Sequence, residues 1–195
     1  MAIFTITMNL LTLKDWSKEE IMHIIDEAIL IKEDPDKYLK VLRGKTLAML
    51  FEKKSTRTRI SFEVGMTQLG GHALFIDWKT TQLGKADLKD EIKCIDRYVD
   101  IIMARVYKHK DIEKMAKNAE KPVINALSDK YHPCQILGDL MTIKEKFNKF
   151  DGLKLAYVGD GNNVCNSLII GCKKVGLKLM LQPQKVMSQK KSRIY

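Results

Sequence analysis

The sequence predicts an α/β protein built on a parallel sheet flanked by helices. Three observations carry this reading. Short apolar runs bounded by turn residues alternate with helical-period segments. Helix start and stop signals separate them. The candidate functional residues follow the C-terminal ends of predicted strands, where ligands bind in such sheets. Alternation of this kind implies right-handed crossovers and parallel strands.

Each element has a local cause. Ser17-Lys18-Glu19-Glu20 is a capping box, and Ile21, Ile24, Ile25, Ala28 and Ile29 follow at helical spacing, in a region that Gly44 ends. Thr46 to Phe51 is an apolar strand. Ser55 to Leu69 is a helix stopped by Gly70-Gly71, and Ala73 to Ile76 is a second strand. A polar stretch around Thr80-Thr81-Gln82-Leu83-Gly84 leads to a helix over Asp87 to Val99. Ile101 to Val106 and Val123 to Leu127 are strands enclosing a helix over Asp111 to Ala119. Pro133 suits the first turn of a helix running to Phe147. Leu153 to Val158, Asn163 to Val175 and Leu177 to Leu181 then give strand, helix and strand. The expected domains are 1–149 and 150–195, the second incomplete, because two parallel strands cannot cover both faces of a sheet.

Composition bounds the function. The chain has 195 residues, 45% of them hydrophobic, enough to fill a core, so it is not compositionally disordered. There is no 18-residue apolar run, and Met1 to Leu13 lacks a basic n-region and a cleavage site, so neither a membrane span nor a signal peptide is expected. The net charge of +10 invites a nucleic-acid reading, but its distribution argues against one. After Asp160 there are seven basic residues and no acid, whereas residues 1–160 hold 27 Lys/Arg against 24 Asp/Glu. The tail has one aromatic, Tyr195, so it lacks the stacking platform of a nucleic-acid surface. Cys94, Cys134, Cys165 and Cys172 form no C-x-x-C pair, and are expected to be buried thiols of a cytoplasmic protein.

The most specific segment is Phe51-Glu52-Lys53-Lys54-Ser55-Thr56-Arg57-Thr58-Arg59, which leaves a strand and opens a helix. Unpaired N–H groups at a helix start, the hydroxyls of Ser55, Thr56 and Thr58, and the Arg57 guanidinium suit a phosphate. Taken alone, it equally describes a well-capped helix with solvated cations. It is not a P-loop, and Gly159-Asp160-Gly161-Asn162-Asn163 has Val164 where a dinucleotide fingerprint needs its third glycine. Arg105 ends a strand at the same edge, and His132 and Gln135 flank Pro133 in the next loop. Singly these are a surface cation and a structural histidine; together with the phosphate-type turn they favour a site.

Four motifs in order carry a resemblance. Ser55-Thr56-Arg57-Thr58, Ala104-Arg105-Val106-Tyr107, His132-Pro133-Cys134-Gln135 and Gly159-Asp160-Gly161-Asn162-Asn163 resemble the transcarbamoylases, and within them the ornithine carbamoyltransferase branch. The resemblance covers Leu10 to Leu179, and the Phe-Glu-Lys-Lys before the first motif distinguishes it from the aspartate branch. It implies a complete N-terminal carbamoyl-phosphate domain and the first strand–helix–strand of a second, amino-acid-binding domain. It implies that Ser55, Thr56, Arg57 and Thr58 hold the phosphate of carbamoyl phosphate, that Arg105, His132 and Thr58 contact its carbonyl oxygen, and that Gln135 contacts its amide. Asn163 would bind ornithine, and Gln82 would reach a neighbouring subunit's site in a homotrimer or multiple of trimers. The chemistry so implied, attack of the ornithine δ-amine with departure of phosphate, needs no metal, no cofactor and no protein nucleophile.

The sequence departs from that pattern toward its end. The Asp-x-x-x-Ser-Met-Gly and His-Cys-Leu-Pro segments of the family and its C-terminal helix are absent, and after Met180 the resemblance fades. The expectation is a truncated copy, poorly soluble and with little citrulline-forming activity alone. The alternatives are a non-catalytic carbamoyl-phosphate-binding or trimerising module, or a putrescine or aspartate transcarbamoylase.

Overall fold

The computed structural model describes residues 8–183. Helix α1 (Lys18–Glu33) begins at the expected capping box: Glu20 N–H donates to Ser17 Oγ at 3.1 Å and Ser17 N–H to the Glu20 carboxylate at 2.7 Å. It stops at Asp34, well before Gly44, because Pro35 opens a separate 3-10 turn over Pro35–Tyr38. Strand β1 (Thr46–Phe51), α2 (Thr56–Gln68) and β2 (His72–Asp77) follow. Two 3-10 turns, Trp78–Thr80 and Gln82–Gly84, occupy the polar stretch.

Helix α3 (Leu88–Asp96) ends three residues earlier than the sequence predicts. The cause is Asp96 itself, whose buried carboxylate accepts the N–H groups of Glu120 at 3.1 Å and Lys121 at 2.8 Å. Strand β3 (Ile101–Arg105), α4 (His109–Asn118), β4 (Val123–Leu127) and α5 (Pro133–Phe147) complete the first unit. Helix α5 ends at Asn148, whose φ of 53° is left-handed. Strand β5 (Lys154–Gly159), α6 (Asn163–Val175) and β6 (Lys178–Pro183) follow. The last strand runs two residues beyond the expected Leu181, to Pro183. Residues from Gln184 onward, with the tail cations Lys185, Lys190, Lys191 and Arg193, lie outside the described residues.

Strands β1–β4 form one parallel sheet in the order β2-β1-β3-β4, and β5 and β6 form a separate parallel pair. Leu10 adds a single parallel bridge outside β4: its N–H donates to Val123 and its carbonyl accepts from Asn125, both at 2.9 Å. The order reverses between β1 and β3, so the crevice above their C-terminal ends is the topological switch point. Central β1 is buried along nearly its whole length, as a strand covered on both faces must be.

Three apolar clusters hold these layers. Ala48, Leu50, Ile102 and Ala104 on one sheet face meet Ile92, Ile112 and Met115 of α3 and α4. Leu47, Met49 and Met103 on the other face meet Met66 of α2. The third cluster joins the two sheets, with Ile21 and Ile25 of α1, Ile136 and Leu140 of α5, and Leu168, Cys172 and Val175 of α6 in one core. Beyond it, β5, α6 and β6 leave Val158, Ile169, Met180 and Leu181 exposed.

Close contact between α5 and α6 depends on Gly171. A β-carbon there would lie 2.5 Å from Ile136 Cγ2 and 3.3 Å from Leu13 Cδ1. The Gly171→Ala variant gains about 1 kcal/mol of helix propensity but overpacks a dense core, a cost of about 1–3 kcal/mol. A net destabilisation is expected, read as a lower denaturant midpoint with an unchanged m-value; an unchanged or higher midpoint would refute the tight approach.

Candidate active site

The site grows from three strand exits placed side by side by their register. Phe51 pairs with Arg105, and Arg105 with Leu127. The β3–β4 register shifts between Ala104 and Arg105, a bulge that re-aims the chain just where the exits begin. The β1 exit is clamped to β3: Glu52 and Lys53 N–H groups both donate to the Arg105 carbonyl, at 3.0 and 3.2 Å, and Glu52 accepts the Tyr107 N–H at 2.7 Å.

Ser55 caps α2, its Oγ accepting the Thr58 N–H at 3.3 Å and donating to Thr58 Oγ1 at 3.0 Å. Thr58 Oγ1 also accepts from Arg105 Nη1 at 3.4 Å, which ties the helix start to the end of β3. Pro133 occupies the first turn of α5, so His132 sits at the N-cap, as the sequence predicts.

A cavity of about 570 Å³ lies where these exits meet, lined among others by Ser55, Arg57, Thr58, Arg105, His132 and Gln135. Its electrostatics are one-signed. Burial, and then the nearby Arg57, push the Arg105 guanidinium below its ordinary value. Neither arginine has an ion-pair partner among the described residues. Arg105 Nε and His132 Nδ1 are buried without a hydrogen-bond partner among those residues, an arrangement that costs free energy unless a ligand satisfies it. Burial, then Arg105, lower the His132 imidazole to about 4, so the ring is neutral at pH 7. The cavity is thus a cradle of hydrogen-bond donors at a helix N-terminus with two uncompensated cations, suited to a small anion with a polar substituent.

Not every predicted residue meets there. Thr56 is exposed and lines a different cleft, beside Phe75 and Lys79. Gln135 borders the cavity but donates to Asp139 at 2.9 Å. Gln82 is exposed in its 3-10 turn, away from this cavity. Asn163 donates to the Ser128 carbonyl at 2.7 Å. Of the cysteines, Cys165 and Cys172 are buried as expected, whereas Cys94 is exposed. Cys134 lines the cavity with its thiol pushed up to about 12 by burial, which makes it a poor nucleophile.

Sequence reasoning missed the buried network behind His132. Asn125 Nδ2 donates to the Leu11 carbonyl at 2.9 Å, Ser128 Oγ accepts the Tyr131 N–H at 3.2 Å, and His109 Nδ1 lies 2.9 Å from Ser128 Oγ. The available signal was Asn125, a polar residue inside an apolar strand. Among the described residues no group of three or more metal-ligating side chains comes together, and no helix is long and apolar enough to cross a membrane.

The lowered His132 value has a stability consequence. The native state keeps the ring neutral down to about 4, whereas the unfolded chain binds its proton near 6.5. The stabilisation is therefore present above 6.5 and is lost as pH falls toward 4, by at most about 3 kcal/mol. Melting curves between pH 7 and 4 are expected to show a shallower fall for His132→Gln than for the parent; equal slopes would contradict it.

Residues 8–145 match the family described as aspartate/ornithine carbamoyltransferase, carbamoyl-P binding domain. Ornithine carbamoyltransferase of Methanocaldococcus jannaschii is 56% identical over 171 residues, covering 87% of this chain and 56% of that protein. The Bacillus subtilis ornithine carbamoyltransferase is 53% identical over 178 residues, covering 91% of this chain and 55% of that protein. The solved ornithine carbamoyltransferase of Pyrococcus furiosus superposes with a TM-score of 0.86 at 49% identity, over 91% of this chain and 57% of the other. The chain thus spans about half the length of the curated relatives it matches. Motif order, sheet order and these likenesses agree: the chain belongs to the aspartate/ornithine carbamoyltransferase family.

Proposed function

We propose that the cavity at the β1, β3 and β4 exits is the carbamoyl-phosphate half of an ornithine carbamoyltransferase site. The observation that carries this reading is the convergence of Arg57, Arg105, Thr58 and neutral His132 on one cavity with no internal counter-charge. In it the N–H groups that open α2, that of Thr56 among them, and the side chains of Ser55, Arg57 and Thr58 hold the phosphate; the Thr56 side chain faces another cleft. Arg105, His132 and Thr58 donate to the carbonyl oxygen, and Gln135 turns from Asp139 toward the amide nitrogen. The neutral δ-amine of ornithine, held by Asn163, attacks the carbonyl carbon. The C–N bond forms, the C–O bond to phosphate breaks, the amine passes a proton to the departing phosphate, and citrulline and hydrogen phosphate leave. Catalysis is positioning plus stabilisation of the developing oxyanion, and a neutral imidazole suits it as a donor that does not add a third charge.

The same reading places the protein in the cytoplasm, in arginine biosynthesis or ornithine–citrulline metabolism. It assembles three copies or a multiple of three, with Gln82 serving a neighbouring copy's cavity; its exposure away from its own cavity supports that assignment. A second reading, a carbamoyl-phosphate-binding module without transfer, shares this half-site.

Calorimetric titration with carbamoyl phosphate, alongside a citrulline assay, tests both. Arg57→Ala is expected to weaken binding about 10- to 100-fold through loss of charge-assisted hydrogen bonds, with the circular dichroism unchanged. Binding with transfer supports the enzyme, and binding alone supports the module. Failure of the parent protein to bind carbamoyl phosphate would sink both.

A further inference from the structure

The backbone that carries His132 is held from outside its own sheet. Three side chains of α6 reach the loop between β4 and α5, and they contact every second residue of it. Asn163 Nδ2 donates to the Ser128 carbonyl at 2.7 Å, Asn166 Nδ2 to the Lys130 carbonyl at 3.1 Å, and Ser167 Oγ accepts the His132 N–H at 2.8 Å. Positions 163, 166 and 167 lie on one face of α6 at helical spacing. Gly171, one turn further on the same face, lets that face lie against α5.

We propose that Ser167 is a positioning residue for His132, through which α6 sets the aim of the imidazole in the carbamoyl-phosphate cavity. His132 needs such a tether. Its backbone, at φ −139° and ψ 70°, belongs neither to helix nor to regular strand, and its side chain makes no capping bond. The Ser167 hydroxyl is 1% exposed as part of its residue, so the bond to the His132 N–H is sheltered from competing water. The inner side of the loop is already fixed, by Asn125 and by the Ser128–Tyr131 bonds. With Ser167 on the outer side, His132 is gripped from both sides while its ring Nδ1 stays unpaired. The bond spans 35 residues and joins the helix between β5 and β6 to the loop that leaves β4. The α6 unit thereby completes the carbamoyl half of the site as well as contributing Asn163.

The inference rests on the proposed carbamoyl-phosphate site, and two measurements separate its failure from that of the site. The first is NMR titration of the histidine rings, of which the chain has four. In Ser167→Ala the His132 ring is expected to become more hydrated and to titrate closer to 6.5, while His109, fixed by Ser128, keeps its parent value. The groups facing the ring are Arg105 from β3 and, behind it, Arg57 from α2, and neither is altered by the substitution. The second is a pair of titrations, one with inorganic phosphate and one with carbamoyl phosphate. Ser167→Ala should weaken carbamoyl phosphate about five- to tenfold, the worth of one displaced hydrogen bond, and leave phosphate affinity unchanged. Ser167→Thr, which keeps the hydroxyl, should restore both readouts. Asn166→Ala, which loosens the same loop from a half-exposed position, should shift them the same way by less and guards against misfolding of the buried variant. Parent-like His132 titration in Ser167→Ala, or equal loss of phosphate and carbamoyl phosphate affinity, would overturn the proposal. If the parent binds no carbamoyl phosphate, the site reading fails, and the ring titration alone still decides whether Ser167 positions His132.

Discussion

Parallel pairing of β1, β3 and β4 is the constraint on which the rest of the structure depends. It aligns Phe51, Arg105 and Leu127 at one sheet edge, so three segments far apart in sequence start from neighbouring points. An antiparallel partner in either position would send one exit to the opposite edge and divide the donor set. The parallel arrangement needs helices on both faces, and α2, α3, α4 and α5 supply them. Two of those helices begin at the cavity, so the covering layer also brings helix N-termini to the place where an anion is expected to bind.

Charge then follows from geometry. The Arg105 guanidinium is half-buried at the end of a core strand and close to Arg57, and no carboxylate of the described residues pairs with either. Such an arrangement is costly without a ligand. A neutral His132 limits that cost, because a third cation in the same cavity would add repulsion at short range. Burial that lowers the imidazole thus serves both stability above pH 6.5 and the chemistry of an uncharged donor.

Much of this was legible in the sequence, and the reason is locality. The ranges of β1, β4, α5 and α6 coincide with those read from apolar runs and Pro133, since each is set by signals within a turn of its ends. The convergence of Ser55, Thr58, Arg105 and His132 followed from strand-exit position alone. The early end of α3 was not legible, because it is set by Asp96 bonding to residues 24 and 25 positions away. Nor was the place of Thr56, one residue from two cavity-lining neighbours, since a helix turns successive side chains by about 100° and sends it to another cleft. The tether from Ser167 to His132 has no signature in periodicity at all.

That tether bears on how the two sheets divide their work. The first sheet carries the residues around the anion cavity, and α6 opens with the Asn163 turn that the family resemblance links to the amino acid. A strict division would leave each half independent. Instead, Asn163 and Ser167 bond to the loop that carries His132, and one apolar core runs through α1, α5 and α6. The Asn163 amide carries a second N–H beside the one on the Ser128 carbonyl, so on the proposed reading it can meet an incoming amino acid without releasing the loop. Asn166 and Ser167 hold the same loop at Lys130 and His132. On the proposed reading, one face of α6 both holds the loop that carries His132 and presents Asn163 to the amino acid, so the two sheets share the site rather than dividing it.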